Sequence, residues 1–391
     1  MGPGLHAGLH RGIERGPAAR HVRREGAGHA RQRAALVRGE RPGGHQPAVT
    51  PPPVSGRAAR RGSGGITLSD VSKLAGVSTI TVSRALNTPD LVSPDTREKV
   101  RAAVERTGYV PNRLAGGLAS NRSRLVAALV PTIAGPVFLE TIQALTEALD
   151  EAGYQLMLGQ SGYHHSREDA LIDAIVGRRP DGIVLTGIMH SAEGRRRLLA
   201  SGIPVVETWD LTPTPVDMLV GFSHEKVGAA IARFLHGKGY RRPAVVTGDD
   251  QRARLRCTSF IEAMAGLGVA TVPVHTVAAP TTLGSGRVAL MALLADAPQT
   301  DLLVCSSDAL AHGVITEAHA RGMRVPGDIG VMGFGDLAFA RHAHPAITTV
   351  RIDGTAIGRQ AARFIVERAR GVEVTQKVID LGFSLVERDS V

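Results

Sequence analysis

The stretch Ile66-Thr-Leu-Ser-Asp-Val-Ser-Lys-Leu-Ala-Gly-Val-Ser-Thr-Ile-Thr-Val-Ser-Arg-Ala-Leu-Asn87 decides how the rest of the 391-residue chain is read. It holds two short helical patterns joined at Gly76, each with its own start signal. Thr67 can cap the first, with Asp70 three residues on as the acidic partner of a capping box. Ser78 can cap the second. Val71, Leu74 and Ala75 make an apolar stripe on the first helix, and Val82 and Leu86 continue it on the second. Two such helices across a glycine turn read as a helix-turn-helix, whose second helix enters the DNA major groove. An ordinary helical hairpin has the same pattern, so the residues that follow carry weight. Ser93-Pro-Asp-Thr-Arg-Glu-Lys-Val100 opens a third helix with an N-cap, proline at the first position and acid in the first turn. Gly108 closes it.

Composition bounds the rest. Apolar residues make up 43% of the chain, and no run approaches the ~18 apolar residues of a membrane span. Cys257 and Cys305 have no CxxC spacing and make no disulfide framework, which predicts a reducing cytoplasm. The net charge is +10, but residues 1–65 hold 12 Arg and three Glu with no Lys or Asp, so +9 of it sits there. The global charge is therefore a property of this segment. Its Gly, Arg, His, Pro and Ala, in irregular order, cannot bury enough surface to offset chain entropy, which predicts a disordered tail. It lacks the apolar core of a secretory signal and is too rich in Gly and Pro for a transit peptide. It is either an arginine-rich arm adding phosphate contacts or a stretch upstream of the true start, near Val54; the second is preferred.

From Leu125 the texture changes to alternating strand and helix. Apolar runs predict buried strands at Leu125–Val130, Tyr154–Leu158, Gly182–Thr186, Pro204–Thr208, Ala244–Thr247, Leu302–Cys305 and Ile329–Gly333. Helical patterns lie between them, among them Phe138–Glu151, Glu225–Lys238 and Ala309–Arg321. Such alternation implies parallel sheets with helices on both faces. The pattern restarts near Arg242, which predicts two α/β subdomains with a cleft between them.

The run Asp70-Val71, Ala75-Gly76-Val77-Ser78, Thr81-Val82-Ser83-Arg84, Asn87, Gly108-Tyr109, Pro111-Asn112-Arg113 and Leu118-Ala119 resembles the lactose-repressor (LacI) family of transcriptional regulators. The likeness extends over roughly residues 66 to 391. It implies an α/β periplasmic-binding-protein-like core of two subdomains preceded by an all-α helix-turn-helix DNA-binding domain. The expected division is a helix-turn-helix at 66–112, a hinge helix at 113–121 and an effector-binding and dimerisation domain at 122–391. In the family the start of the recognition helix meets base edges, so Thr79, Ile80 and Arg84 are the expected readers. Arg84 has the chemistry for a bidentate contact to guanine, and Thr79 and Ile80 for thymine methyls. Ser78, Thr81, Ser83 and Asn87 are placed to position phosphates, although each also suits a cap or a solvated surface. Leu118, with Ala115 beside it, matches the lever that the family's hinge helix drives into the minor groove. Gly116-Gly117 makes that helix poor in isolation, by about 1 kcal/mol per Gly relative to Ala.

Ligands of open parallel sheets bind beyond the carboxyl ends of the strands. Asp308, after the strand Leu302–Cys305, matches the family's acceptor of sugar hydroxyls, where the bland alternative is a helix cap. Arg256 matches the family's effector-contacting cation, with Arg254 as the fallback. Asp210 and Trp209 end another strand, and Trp209 suits either a sugar ring or the core. Pro136 and Phe138 resemble the family's aromatic wall, with Gly135 in place of its Asn, and Ser285 lies in a loop resembling one that adds a polar contact. Lys377-Val-Ile-Asp-Leu-Gly-Phe-Ser-Leu385, Gly153–Leu158 with Gly162-Tyr163, and Val216–Phe222 resemble the gluconate-operon repressors of the family. That implies gluconate or a related sugar acid, with a neutral sugar as the alternative. Arg256 would pair the carboxylate, and Asp308 and Asp210 the hydroxyls.

No catalytic or metal constellation stands out. His164-His165 and His342/His344 pair with no carboxylates at a ligand spacing, Gly333-Phe-Gly335 lacks the third Gly of a dinucleotide loop, and Gly-x-Ser-x-Gly is absent. A transport-type sugar-binding protein would share the two-lobed core but not the helix-turn-helix. The expectation is a cytoplasmic, homodimeric, ligand-responsive repressor of a carbohydrate operon. It binds a pseudo-palindromic double-stranded operator, without cofactor, metal or membrane.

Overall fold

The computed structural model describes residues 65–110, 122–162, 165–189 and 191–391. The expected tail lies outside them except for Gly65, as does the expected hinge helix.

The first three helices are α1 (Leu68–Ala75), α2 (Thr79–Asn87) and α3 (Pro94–Thr107). Their starts follow the local chemistry. The Thr67 backbone N–H and hydroxyl both donate to the Asp70 carboxylate, at 2.9 and 2.6 Å, which holds that carboxyl below its ordinary range. Ser78 accepts the Thr81 N–H at 3.1 Å, and Ser93 accepts that of Thr96. Gly76 takes the left-handed φ of 67° that ends α1 and turns the chain into α2. Val71, Val82, Val100 and Ala103 are the buried centre of this unit. Leu74, expected in the stripe, is 40% exposed.

The α/β part opens with β1 (Leu125–Val130), α4 (Leu139–Glu151), β2 (Gln155–Gln160), α5 (His165–Val176), β3 (Gly182–Thr186), α6 (Ala192–Ser201), β4 (Val205–Thr208) and β5 (Met218–Gly221). It continues through α7 (His224–Gly237), β6 (Pro243–Gly248), α8 (Gln251–Gly266), β7 (Val274–Val277), α9 (Leu283–Asp296), β8 (Leu302–Cys305), α10 (Asp308–Ala320) and β9 (Gly330–Met332). It ends with β10 (Thr349–Arg351), α11 (Gly354–Ala369), β11 (Val378–Asp380) and β12 (Ser384–Val386). Two parallel sheets result, in the orders β11-β5-β4-β3-β1-β2 and β7-β6-β8-β9. β10 and β12 pair antiparallel as a short ribbon.

The expected strands at Leu125–Val130, Gly182–Thr186 and Leu302–Cys305 have those bounds, and the other four shift by one or two residues. The lobes, however, are not successive halves of the chain. α7 packs on α8 in the second lobe, before the expected restart at Arg242. α11 returns to pack on α4, and β11 joins the first sheet beside β5, with Val378 opposite Leu219. One cluster of buried residues, including Phe138, Trp209, Phe222, Val245, Phe260 and Phe334, runs through both lobes. Burying each such side chain stabilises the fold by about 1.5–3 kcal/mol.

Candidate functional site

The carboxyl ends of the strands open on a cavity whose empty space, its solvent-open mouth included, is about 750 Å³. Thr132 reaches it from the loop after β1, Trp209 from β4, Thr281 from the loop after β7, Ser306 and Ser307 from β8, and Phe334 from β9. Both lobes contribute, and the wall combines hydroxyls with aromatic side chains. That composition suits a small organic ligand.

The charge comes from one helix. Asp250 caps α8 by accepting the Ala253 N–H at 3.1 Å, and Arg252 and Arg256, four residues apart on one helical face, both line the cavity. Arg256 lies 3.8 Å above the Phe334 ring and donates to the Ser306 carbonyl at 3.2 Å. It also approaches Nδ1 of His224 at 3.0 Å. Burial pulls the Arg256 pKa down to about 10, so the side chain is still a cation at neutral pH. Arg252 lies 5.2 Å above the Phe138 ring and donates to the Thr186 carbonyl at 3.4 Å. Among the described residues neither guanidinium takes part in an ion pair.

Trp209 is both core and wall. It is 3% exposed, its indole N–H donates to the Thr141 hydroxyl at 3.0 Å, and it meets Phe138 and Phe222 edge to face at 5.1 and 5.9 Å. Phe138 itself lines the cavity as expected. Asp210 faces an outer compartment instead, with Asp249, Asp250, Arg252 and Arg254. Burial pushes its carboxyl up to about 6. Glu207, on β4, braces this corner by accepting the Met189 and Val216 N–H groups at 2.7 and 2.8 Å.

Two expected contacts are placed elsewhere. Asp308 is fully buried and does not line the cavity, although its neighbours Ser307 and Ala309 do. Its carboxylate accepts the Thr349 hydroxyl at 2.6 Å and the Leu337 N–H at 2.7 Å, so it ties the loop after β9 and the start of β10 to α10. Ser285 is spent in the capping box that starts α9, where it accepts the Thr282 N–H at 2.9 Å; Thr281 takes the place at the wall. Residues that sequence patterns missed are His224, Ser306, Phe334 and Arg252. Of these only Arg252 carried a signal, its spacing of four from Arg256. Among the described residues no group of three or more His, Cys, Asp or Glu is arranged to hold a metal ion. No described helix is long and apolar enough to cross a membrane.

On α2, Thr79, Ile80, Arg84 and Asn87 lie on the solvent side, and Ile80 is 64% exposed, unusual for so large an apolar side chain. The Arg84 guanidinium makes no hydrogen bond or ion pair among the described residues. Ser78 and Thr81 share the cap hydrogen bonds, and the Asn87 amide donates to the Ser83 carbonyl at 3.0 Å. Ala115 and Leu118 lie outside the described residues.

Known proteins share this architecture. Residues 67–112 match the family described as bacterial regulatory proteins, lacI family, and residues 232–391 match the periplasmic binding protein-like domain. The HTH-type transcriptional regulator GntR of Pseudomonas aeruginosa is 37% identical over 332 residues, 84% of this chain and 97% of that protein. The protein of the same name from Escherichia coli K12 is 30% identical over 83% of this chain and 98% of its own length. A crystal structure of a LacI-family transcriptional regulator from Silicibacter pomeroyi superposes with a TM-score of 0.79 at 34% identity, covering 83% of this chain and 99% of that one.

Proposed function

This chain belongs to the lacI family of bacterial regulatory proteins, and from that premise we propose that it is a homodimeric repressor released from its operator by gluconate or a related sugar acid. The observation that carries the ligand is the pair Arg252 and Arg256, two cations on one helical face that line a cavity of hydroxyls and aromatic rings. A carboxylate supplies the partner such guanidiniums lack, through short charge-assisted hydrogen bonds. Ser306, Ser307, Thr281 and Thr132 supply the hydroxyl partners of a polyol, and Trp209 and Phe138 an apolar face. The rest of the ligand reaches toward Asp210. A neutral sugar would leave the two half-buried charges without an ion-pair partner, at a cost that a sugar acid avoids.

Operator contact is assigned to α2. Arg84 reads guanine, Thr79 and Ile80 pack on thymine methyls, and Ser78, Thr81, Ser83 and Asn87 position phosphates. Leu118, flanked by Ala115, is the minor-groove wedge. A second copy is assigned to the outer face of α9. That helix carries apolar residues on both faces: Gly286, Ala289, Leu290 and Leu293 are buried, while Leu283, Val288 and Met291 are 38%, 56% and 39% exposed. Beside it lies the edge strand β7, with Val274 43% exposed. An exposed apolar helix next to an open strand edge favours a covering partner. The function is one of binding, not of catalysis.

The test is binding of the full chain, at fixed salt, to the DNA upstream of its own gene and of neighbouring sugar genes, against random DNA. Specific binding released by gluconate but not by glucose is expected. Specific binding indifferent to gluconate refutes the ligand, and no preference over random DNA refutes the assignment of α2.

A further inference from the structure

The first sheet's strand β5 ends at Gly221, and three residues later α7 begins with His224, which is 2% exposed. Its ring lies between two groups with fixed roles. Nε2 is 3.0 Å from the Trp209 carbonyl oxygen, which can only accept. Nδ1 is 3.0 Å from a guanidinium nitrogen of Arg256, which can only donate. These partners allow one form of the ring: neutral, with the proton on Nε2 and the lone pair of Nδ1 facing Arg256. Phe222 covers one side, edge to face at 4.6 Å.

The backbone around the ring is built for this contact. Trp209 has a φ of 66°, a left-handed conformation rare for a bulky residue. Such outliers persist only where the surroundings over-determine them. Here Gly221 does so, because a Cβ on it would overlap the backbone of Asp210. On the other side Gly228, one turn along α7 from His224, lets that helix approach the Arg256 carbonyl so closely that a Cβ there would overlap it. Strain on one lobe and close packing on the other meet at one imidazole.

We infer that His224 is a positioning residue: it holds the Arg256 guanidinium at the cavity wall and ties it to the Trp209 carbonyl of the opposite lobe. Three things keep the ring neutral. Burial disfavours the imidazolium, the charges of Arg256 and Arg252 on α8 repel it, and the α7 N-terminus adds a positive dipole end. The first two hold its pKa well below the ordinary value. Protonation would set a cation against Arg256 and release the guanidinium from its seat. The consequence is selectivity, since a fixed guanidinium discriminates for a carboxylate whereas a loose one is only a diffuse charge. That consequence rests on the sugar-acid proposal; the state of the ring does not.

The test has two arms on the full chain. In the first, 15N spectra of histidine-labelled protein are followed from pH 5 to 8, with the His224 signal assigned by its loss in His224→Asn. The Nε2–H form is expected throughout, and in Arg256→Gln the ring is expected to titrate closer to the ordinary histidine range. A protonated Nδ1, or ordinary titration in the wild type, overturns the inference whatever the ligand. In the second arm, calorimetry compares gluconate with glucitol, which keeps its five hydroxyls and carries a sixth in place of the carboxylate. His224→Leu should lose about tenfold or more in preference for gluconate, as expected for one hydrogen bond to a charged group. His224→Asn, which offers Oδ1 to Arg256 in place of Nδ1, should recover most of that preference, and His224→Gln should not. A folded His224→Leu protein with wild-type preference overturns the inference. The expected ring state without any gluconate binding leaves the positioning role standing and removes the sugar-acid effector.

Discussion

Replacing Arg256 by glutamine should change ligand affinity far more than it changes the stability of the fold. The stability side is a near-cancellation. The wild-type cation is half-buried without an ion pair, and its pKa is pulled down to about 10, so at every lower pH the charged form costs the folded state free energy. Against that cost stand its hydrogen bonds to His224 and Ser306 and its seat over Phe334. Hydrogen bonds to charged groups contribute about 1.5–3 kcal/mol each and a desolvated cation–π contact about 2. Glutamine removes the cost and the gains together and keeps an amide able to hydrogen-bond, so the net change should be small against the sum of the gains, a shift of at most about 8 °C in the melting midpoint. The ligand side has no such cancellation. Losing one charge-assisted hydrogen bond to a carboxylate costs about 1.5–3 kcal/mol, a loss of about 10- to 150-fold in affinity. Calorimetric titration with gluconate and thermal melts of the same preparations measure both. A variant that binds gluconate within about twofold of wild type refutes the placement of the carboxylate at Arg256. A midpoint lowered by more than about 8 °C refutes the claim that the cation is held at a cost.

Three further outcomes are expected. Arg84→Ala should weaken operator binding by about 1–3 kcal/mol and leave random DNA nearly unchanged in competition gel shifts; equal loss on both would make Arg84 a phosphate contact. Burial raises the Asp308 carboxyl from 3.8 to about 6, so the folded state holds its proton more tightly than the unfolded chain. Its contribution to stability is best below about pH 4 and falls as the pH rises to about 6, by up to about 3 kcal/mol, after which it is flat. Asp308→Asn should lack that slope in denaturant titrations across this range, and an unaltered slope would show the carboxyl to be ordinary. Val288→Glu should leave melting of the protomer within about 0.5 kcal/mol, as for other exposed positions, yet shift sedimentation from dimer to monomer. A dimer that survives it is built on another face.

Local chemistry made the DNA-binding unit legible. Thr67 with Asp70, Ser78, and Ser93 before Pro94 start helices where their side chains satisfy free backbone groups, and three long apolar runs became strands with their read bounds. What escaped was short or long-range. β7, β10, β11 and β12 are short and mix apolar with polar residues, so no unbroken apolar run marks them. The return of α11 and β11 to the first sheet depends on packing against α4 and β5, which no local window contains. Side-chain direction decided the site. Asp308 follows a cavity-forming strand, but Thr349 and Leu337, about 40 and 30 residues away in sequence, turn it inward. The role of His224 depends on partners 15 and 32 residues away in sequence, one of them a carbonyl aimed by a backbone strain that the sequence does not announce.

The corner that holds Trp209 also has an optical consequence. The chain has one tryptophan and four tyrosines, and that tryptophan forms part of the cavity wall. Light absorbed at the red edge of the protein band therefore excites one indole, shielded from water and packed between Phe138 and Phe222. Its emission should be blue-shifted and sensitive to the electric field set by Arg252 and Arg256 and to any anion that pairs with them. Occupancy of the cleft is written directly into the native fluorescence of the chain, with no label attached and no competing emitter of its kind to subtract.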